Sequence, residues 1–206
     1  MEKQSKYSLA FTAASLRLND MVKVAVIALE HGLTDLRGIR ENETVFNSGK
    51  AQTSDREFRE IRKRMEYLTL DQMDILAHGS LMSQKQIAFL AVCKHYDIIR
   101  DFAVGVILDK TMIFNYQITE SDFTSFINSK IQSHPELETF SESTIKKAKQ
   151  VLFHILEQAG IINNPVDKII QPQILHPTLV KAVAEDDPLW LRIFMMPDLD
   201  IKQLKF

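Results

Sequence analysis

Arg56, Arg59 and Lys63 recur at three- and four-residue spacing in a stretch of helical periodicity, which sets three cations along one stripe. On a wheel at about 100° per residue they lie nearly opposite Phe58, Ile61, Met65 and Leu68, with Arg62 and Arg64 flanking the stripe. From Lys50 through Arg64 six basic residues face three acids, Asp55, Glu57 and Glu60, a local charge of +3 in a chain whose 25 basic and 27 acidic residues sum to −2. Guanidinium forks match phosphate oxygens and stay charged at any working pH, so the chemistry this pattern suits is phosphate binding. The plain alternative is a solvated face on which Glu60 pairs with Arg56, Lys63 or Arg64.

A second face of the same kind lies between Ser141 and Ala159. Ile145, Ala148, Leu152, Ile155 and Ala159 point one way, leaving Lys146, Lys147, Gln150 and His154 on the other, and no acid occurs from Ser143 to His154. Ser143, Thr144 and the first backbone N–H groups of such a helix are also an anion site. Here the alternative is an ordinary amphipathic helix with its lysines in water. Taken together, the candidate phosphate contacts are Lys50, Arg56, Arg59, Arg62, Lys63, Ser143, Thr144, Lys146 and Lys147, with Gln150 placed to reach base edges.

Catalytic chemistry finds no matching pattern. The six histidines have no His-Glu-x-x-His spacing, and Cys93-Lys94-His95 lacks partners for zinc. Asp198 and Asp200 echo the carboxylates of metal-dependent nucleases, but they stand two apart at the C-terminus with no strand pair to present them. Glycine-rich phosphate loops and Gly-x-Ser-x-Gly elbows are missing. The expectation is a non-enzyme with no metal and no cofactor.

The longest apolar runs, Ile87 to Cys93 and Phe102 to Leu108, fall far short of the ~20 residues of a spanning helix. A polar start at Met1 to Lys6 and a single cysteine predict a cytoplasmic protein rather than a secreted one. With 45% hydrophobic and 25% charged residues, 206 residues suffice for a real core without disulfides.

The elements that must position the two faces read as mainly α, a compact helical bundle. The pattern predicts helices over 8–18, over 20–31 opened by Asn19 or Asp20 and closed by Gly32, and a short one over 35–42. A surface loop follows over 43–52, where Asn47, Ser48 and Gly49 favour turns. Thr53 or Ser54 is expected to cap a helix over 54–68 and Thr69 one over 70–77. The helices over 83–96 and from Asp97 to Leu108 or Met112 are apolar on nearly all sides and so belong at the buried centre.

Beyond Thr119 come a helix over 121–133, a break at His134-Pro135, a capping signal at Ser141 to Thr144, and a long helix ended by Gly160. Ile161-Ile162, a turn at Asn163-Asn164-Pro165, and Lys168 to Leu175 read as a β-hairpin. Helix, turn, longer helix and hairpin is the order of a winged helix-turn-helix. The chain thus divides into an N-terminal helical region (1–112), a winged-helix-like region (113–178) and a tail (179–206), rich in Trp190, Ile193, Phe194 and Met195, that either docks on the body or forms a partner surface.

The chain resembles the small BrxA proteins of BREX bacteriophage-exclusion operons. The resemblance rests on Arg40-Glu41-Asn42, Thr53-Ser54 with the Arg56 to Arg64 helix, Ala91 to Tyr96 and Asp101-Phe102. It continues through Asp122-Phe123, His134-Pro135-Glu136-Leu137 and Ser143 to Lys147, ending in Leu156-Glu157-Gln158-Ala159-Gly160-Ile161. It implies a non-enzymatic, cytoplasmic, all-helical protein that binds double-stranded DNA. Other BREX operon proteins would be its partners, in a system that tells host from phage DNA by methylation. The family has also been compared with the RNA-binding antitermination factor NusB, which keeps RNA as an alternative ligand. A protein-interaction adaptor is the remaining alternative.

Overall fold

The computed structural model describes residues 6–13, 15–32 and 51–204, with the helical backbone alone for 51–57. The predicted helix over 35–42 and residues 43–50 of the predicted loop over 43–52, Lys50 among them, lie outside the described residues, while Ala51 and Gln52 of that loop are helical instead.

The N-terminal segment is an extended strap rather than the predicted helix over 8–18. Tyr7, Leu9 and Phe11 are buried while Ser8 and Ala10 are exposed, an alternation that only extended backbone can satisfy. One 3-10 turn, Ala10–Ala13, interrupts it. Helix α1 (Leu18–Glu30) starts before Asn19, behind Arg17 in a left-handed conformation, and Arg17 pairs with Asp20 at 2.7 Å. Its end is as predicted, with Gly32 at φ +61.

Helix α2 (Ala51–Met65) begins upstream of Thr53 and Ser54, so neither caps it, and it stops three residues before the predicted end at Leu68. Thr69 opens α3 (Leu70–His78) through a reciprocal box with Gln72. Ser80, accepting from the Ser83 N–H, opens α4 (Leu81–His95). Every residue from Ile87 to Cys93 has no exposed surface, so α4 is the axis of the molecule. Helix α5 (Asp97–Phe102) runs through a π-helical segment, Ala103–Leu108, into α6 (Asp109–Met112).

Thr119 and Asp122 box the start of α7 (Glu120–Lys130), a 3-10 turn follows at Pro135–Thr139, and Ser141 caps α8 (Glu142–Gln158) by accepting from the Thr144 N–H. Phe102, Phe123, Phe126 and Phe153 pack edge-on or tilted between α5, α7 and α8.

The predicted hairpin, and with it the winged helix, does not form among the described residues. Ile162 and Gln117 each make one isolated antiparallel bridge, to Ile170 and Ile169. Side chains take the bonds that would extend a ladder. Asn163 Oδ1 accepts from the amides of Asn164 and Ile169, and Asn164 Oδ1 accepts from those of Val166 and Asp167. Past Gln171 the chain turns away to the end of α8, where Gln173 Nε2 donates to the Gly160 carbonyl.

The last segment comprises α9 (Pro177–Ala184), a 3-10 turn (Pro188–Phe194) and α10 (Asp198–Gln203). Leu191, Ile193 and Phe194 are buried, with the Phe194 ring 6.3 Å from that of Phe89 on α4. Lys94, its side chain 4% exposed, pairs with Asp186 and donates to Tyr67 O and Gln72 Oε1, both at 2.8 Å.

Candidate nucleic-acid interface

On α2 the basic residues separate into two kinds. Arg59 and Lys63 are exposed, while Arg62 is half-buried with Nε 3.6 Å from Glu66 Oε1. Arg64 has no exposed surface at all: Nε donates to Glu60 Oε1 at 3.1 Å and Nη1 to the Ser15 carbonyl at 2.7 Å. Tyr96 donates its phenol proton to the same Glu60 oxygen, and burial followed by that carboxylate pushes the phenol up, which keeps the donor protonated. Arg64 is therefore a structural cation. The side chain of Arg56 lies outside the described residues.

On α8, Lys146, Lys147, Gln150 and His154 are exposed as predicted from their spacing, with Lys147 Nζ 3.5 Å from Gln150 Oε1. Ser143 is exposed and Thr144 half-buried, and both hydroxyls lie 2.9 Å from that of Ser141. Glu142 stands in the first turn, a carboxylate that competes with any anion at this helix start. Lys149 is not part of the outward set: it and Lys168 pair with Glu120, and their hydrogen bonds hold that carboxyl below its ordinary range. A groove of about 490 Å³ runs beside the first turns of α8, lined by Phe123, Ile127, Leu137 and Ile145, with Glu142 and Lys146 among its polar lining.

The strap ties the end of α2 to the end of α8. Ser15 accepts from Arg64 near the end of α2, and the next residue, Leu16, donates its N–H to Gln158 Oε1 at the end of α8, at 2.9 Å. Lys146 sits roughly 18 Å back along α8 from that junction, at 1.5 Å per residue. Arg59 with Lys63 and Lys146 with Lys147 are thus two patches rather than one.

Among the described residues no group of three His, Cys, Asp or Glu side chains is placed to hold a metal ion. Asp198 is taken by Arg192, whose Nε lies 2.6 Å away. Cys93 is fully buried, and burial raises its thiol pKa well above the ordinary range. No helix among the described residues is long and apolar enough to cross a membrane.

The part of Arg64 escaped the sequence reading. The wheel places Arg62 and Arg64 at about equal angles on either side of the apolar sector. Only the strap and Tyr96, which close over one flank, decide which arginine is buried. The i, i+4 spacing of Glu60 and Arg64 was the available signal.

A model of the BrxA family matches residues 5–187 of the chain. A BREX protein BrxA of Escherichia coli O9:H4 (strain HS) is 27% identical over 133 residues, covering 65% of this chain and 62% of that relative, less than two thirds of its length. A BREX protein BrxA of Bacillus cereus (strain H3081.97) is 25% identical over 205 residues, covering 95% of this chain and 99% of the relative. Among solved structures, an uncharacterized protein from Magnetospirillum magneticum superposes with a TM-score of 0.77 at 18% identity, covering 93% of this chain and 99% of that one, a likeness of fold alone.

Proposed function

The chain belongs to the BrxA family, and from that premise we propose that it serves a BREX phage-defence system as a non-enzymatic accessory that binds double-stranded DNA through its phosphates. The observation that carries this reading is the outer face of α8, where Lys146, Lys147 and Gln150 stand exposed in a stretch with no acid from Ser143 to His154. Arg59 and Lys63 on α2 supply a second exposed basic patch in a chain of net charge −2. Lys50, Arg56 and Arg62 complete the α2 set, and Ser143 and Thr144 the α8 set.

Phosphate contacts fix position on a duplex without reading sequence, so the binding is sequence-tolerant, with Gln150 the one side chain suited to a base edge. Fluorescence anisotropy with labelled duplexes tests the reading. The chain binds 20-base-pair DNA duplexes of unrelated sequence with similar affinity and is competed off less well by duplex RNA. Failure to bind any DNA duplex at low salt, or a clear preference for RNA, contradicts it.

A further inference from the structure

Among the described residues, three helical segments end on a residue in the left-handed conformation with the same pair of closing hydrogen bonds. At the end of α8 the residue is Gly160, φ +76: its N–H donates to Glu157 O and the Ile161 N–H to Leu156 O. Glycine is the ordinary occupant, because any Cβ there crowds the backbone. After the 3-10 turn at Pro188–Phe194 the residue is Met195, φ +63, whose side chain is 9% exposed and so packs into the core. After α6 it is Phe114, φ +59, with its N–H on Thr111 O and the Asn115 N–H on Lys110 O. Phe114 is 80% exposed. Neither the freedom of glycine nor burial offsets the strain, so nothing within the fold accounts for phenylalanine at this position.

The neighbours share this exposure. Met112, Ile113 and Tyr116 are also exposed, Ile113 at 71%, so that four large apolar side chains in five residues face outward. Large apolar side chains exposed side by side, rather than scattered singly, mark an interaction site.

The charge beside the patch is negative. Asp109, one turn before Met112 and Ile113, is exposed and makes no ion pair among the described residues. The adjacent Lys110 is committed to Asp122 at 2.8 Å.

We propose that Met112, Ile113, Phe114 and Tyr116 form a docking surface for an apolar segment of another protein, one that carries lysine or arginine beside its apolar residues. A second copy of this chain packing the same surface two-fold would set Asp109 against the same carboxylate, and the adjacent Lys110 is already committed to Asp122. DNA would meet an apolar surface beside which Asp109, a carboxylate without an ion pair among the described residues, repels it. The surface shares no residue with the basic faces of α2 and α8 and does not rest on the DNA reading.

The test places p-benzoylphenylalanine at Ile113 in the full chain, co-expressed with the other proteins of its defence operon, and maps photo-crosslinks by mass spectrometry. The expected result is one heterotypic adduct, attached to a segment with Lys or Arg flanking apolar residues. Phe114→Gly lowers its yield at least tenfold while leaving the melting temperature unchanged or higher, because glycine relieves the strain. Asp109→Lys lowers the yield several-fold on a folded chain. Crosslinks only between two copies, only to nucleic acid, or to no partner overturn the proposal. So do a partner segment lacking basic residues, a yield that both variants leave intact, and a Phe114→Gly chain with a lower melting temperature.

Discussion

Arg64 and Glu60 meet one turn apart on α2, Nε to Oε1 at 3.1 Å, where the arginine side chain has no exposed surface and Tyr96 donates to the same carboxylate. A helix that looks from its sequence like one band of cations therefore carries two functions. Arg64 anchors α2 to the strap and to α4, and that anchorage sets the angle at which Arg59 and Lys63 face water.

Removing the anchor and removing the face are expected to have opposite consequences. Arg64→Ala leaves Glu60 buried without its cation and should cost about 3–5 kcal/mol. Arg59→Ala and Lys63→Ala, at exposed positions, should each change stability by no more than about 0.5 kcal/mol. Urea denaturation of the three variants measures the difference. Equal effects at Arg64 and Lys63 would refute the division of labour.

Lys94 clips the C-terminal segment to the body by bonding Tyr67 O, Gln72 Oε1 and Asp186 from a nearly buried position. Lys94→Ala takes the charged donor from all three acceptors, leaving Gln72 Oε1 with the Thr69 N–H and Asp186 with Gln72 Nε2 alone, and should cost roughly 2–4 kcal/mol. Limited proteolysis should then cut near Glu185 to Asp187 well before it cuts α4. A cleavage pattern matching that of the unaltered chain would show that the apolar contacts of Leu191 and Phe194 hold the segment unaided.

Acid should loosen the strap. Burial alone would raise the Asp101 carboxyl, but hydrogen bonds from Tyr7, Lys130 and Arg100 outweigh it and hold the group below its ordinary value of 3.8. Glu136, which accepts from the Tyr7 N–H and lies 3.2 Å from His134 Nδ1, is likewise held below 4.5. A carboxyl with a lowered pKa in the fold binds its proton first in the unfolded chain. Its contribution is therefore complete above those ordinary values and is lost as pH falls through the lowered ones. Urea midpoints should fall steadily below about pH 4.5, and Asp101→Asn should flatten the decline while lowering the plateau at neutral pH. An unchanged acid limb in that variant would remove Asp101 from the account.

Caps and burial could be read from residue types because each depends on neighbours three or four positions away. Thr69 with Gln72, Thr119 with Asp122, and Ser141 with Thr144 are local bonds, and the all-round apolar run of α4 has only one place to go. The strap departs from the predicted helix because Tyr7, Leu9 and Phe11 alternate into the core and because the partners that hold Tyr7, Asp101 and Glu136, lie far along the chain. The hairpin failed for a local reason hidden in side-chain chemistry, since Asn163 and Asn164 marked a turn but also took the amides that a ladder needs. Exposure of Lys146, Lys147 and Gln150 followed from periodicity, whereas the withdrawal of Lys149 needed Glu120 from another helix.

The central claim is that both exposed basic faces touch one duplex through its phosphates, and the salt dependence of DNA affinity tests it most directly. Plotting log K against log salt concentration for a single duplex compares the unaltered chain with Arg59→Ala/Lys63→Ala and Lys146→Ala/Lys147→Ala. Each pair should weaken binding to all sequences alike and lower the slope by up to ~0.9 per lost phosphate contact. Slopes and affinities that stay at the value of the unaltered chain in both double variants, with the fold intact by circular dichroism, would contradict it.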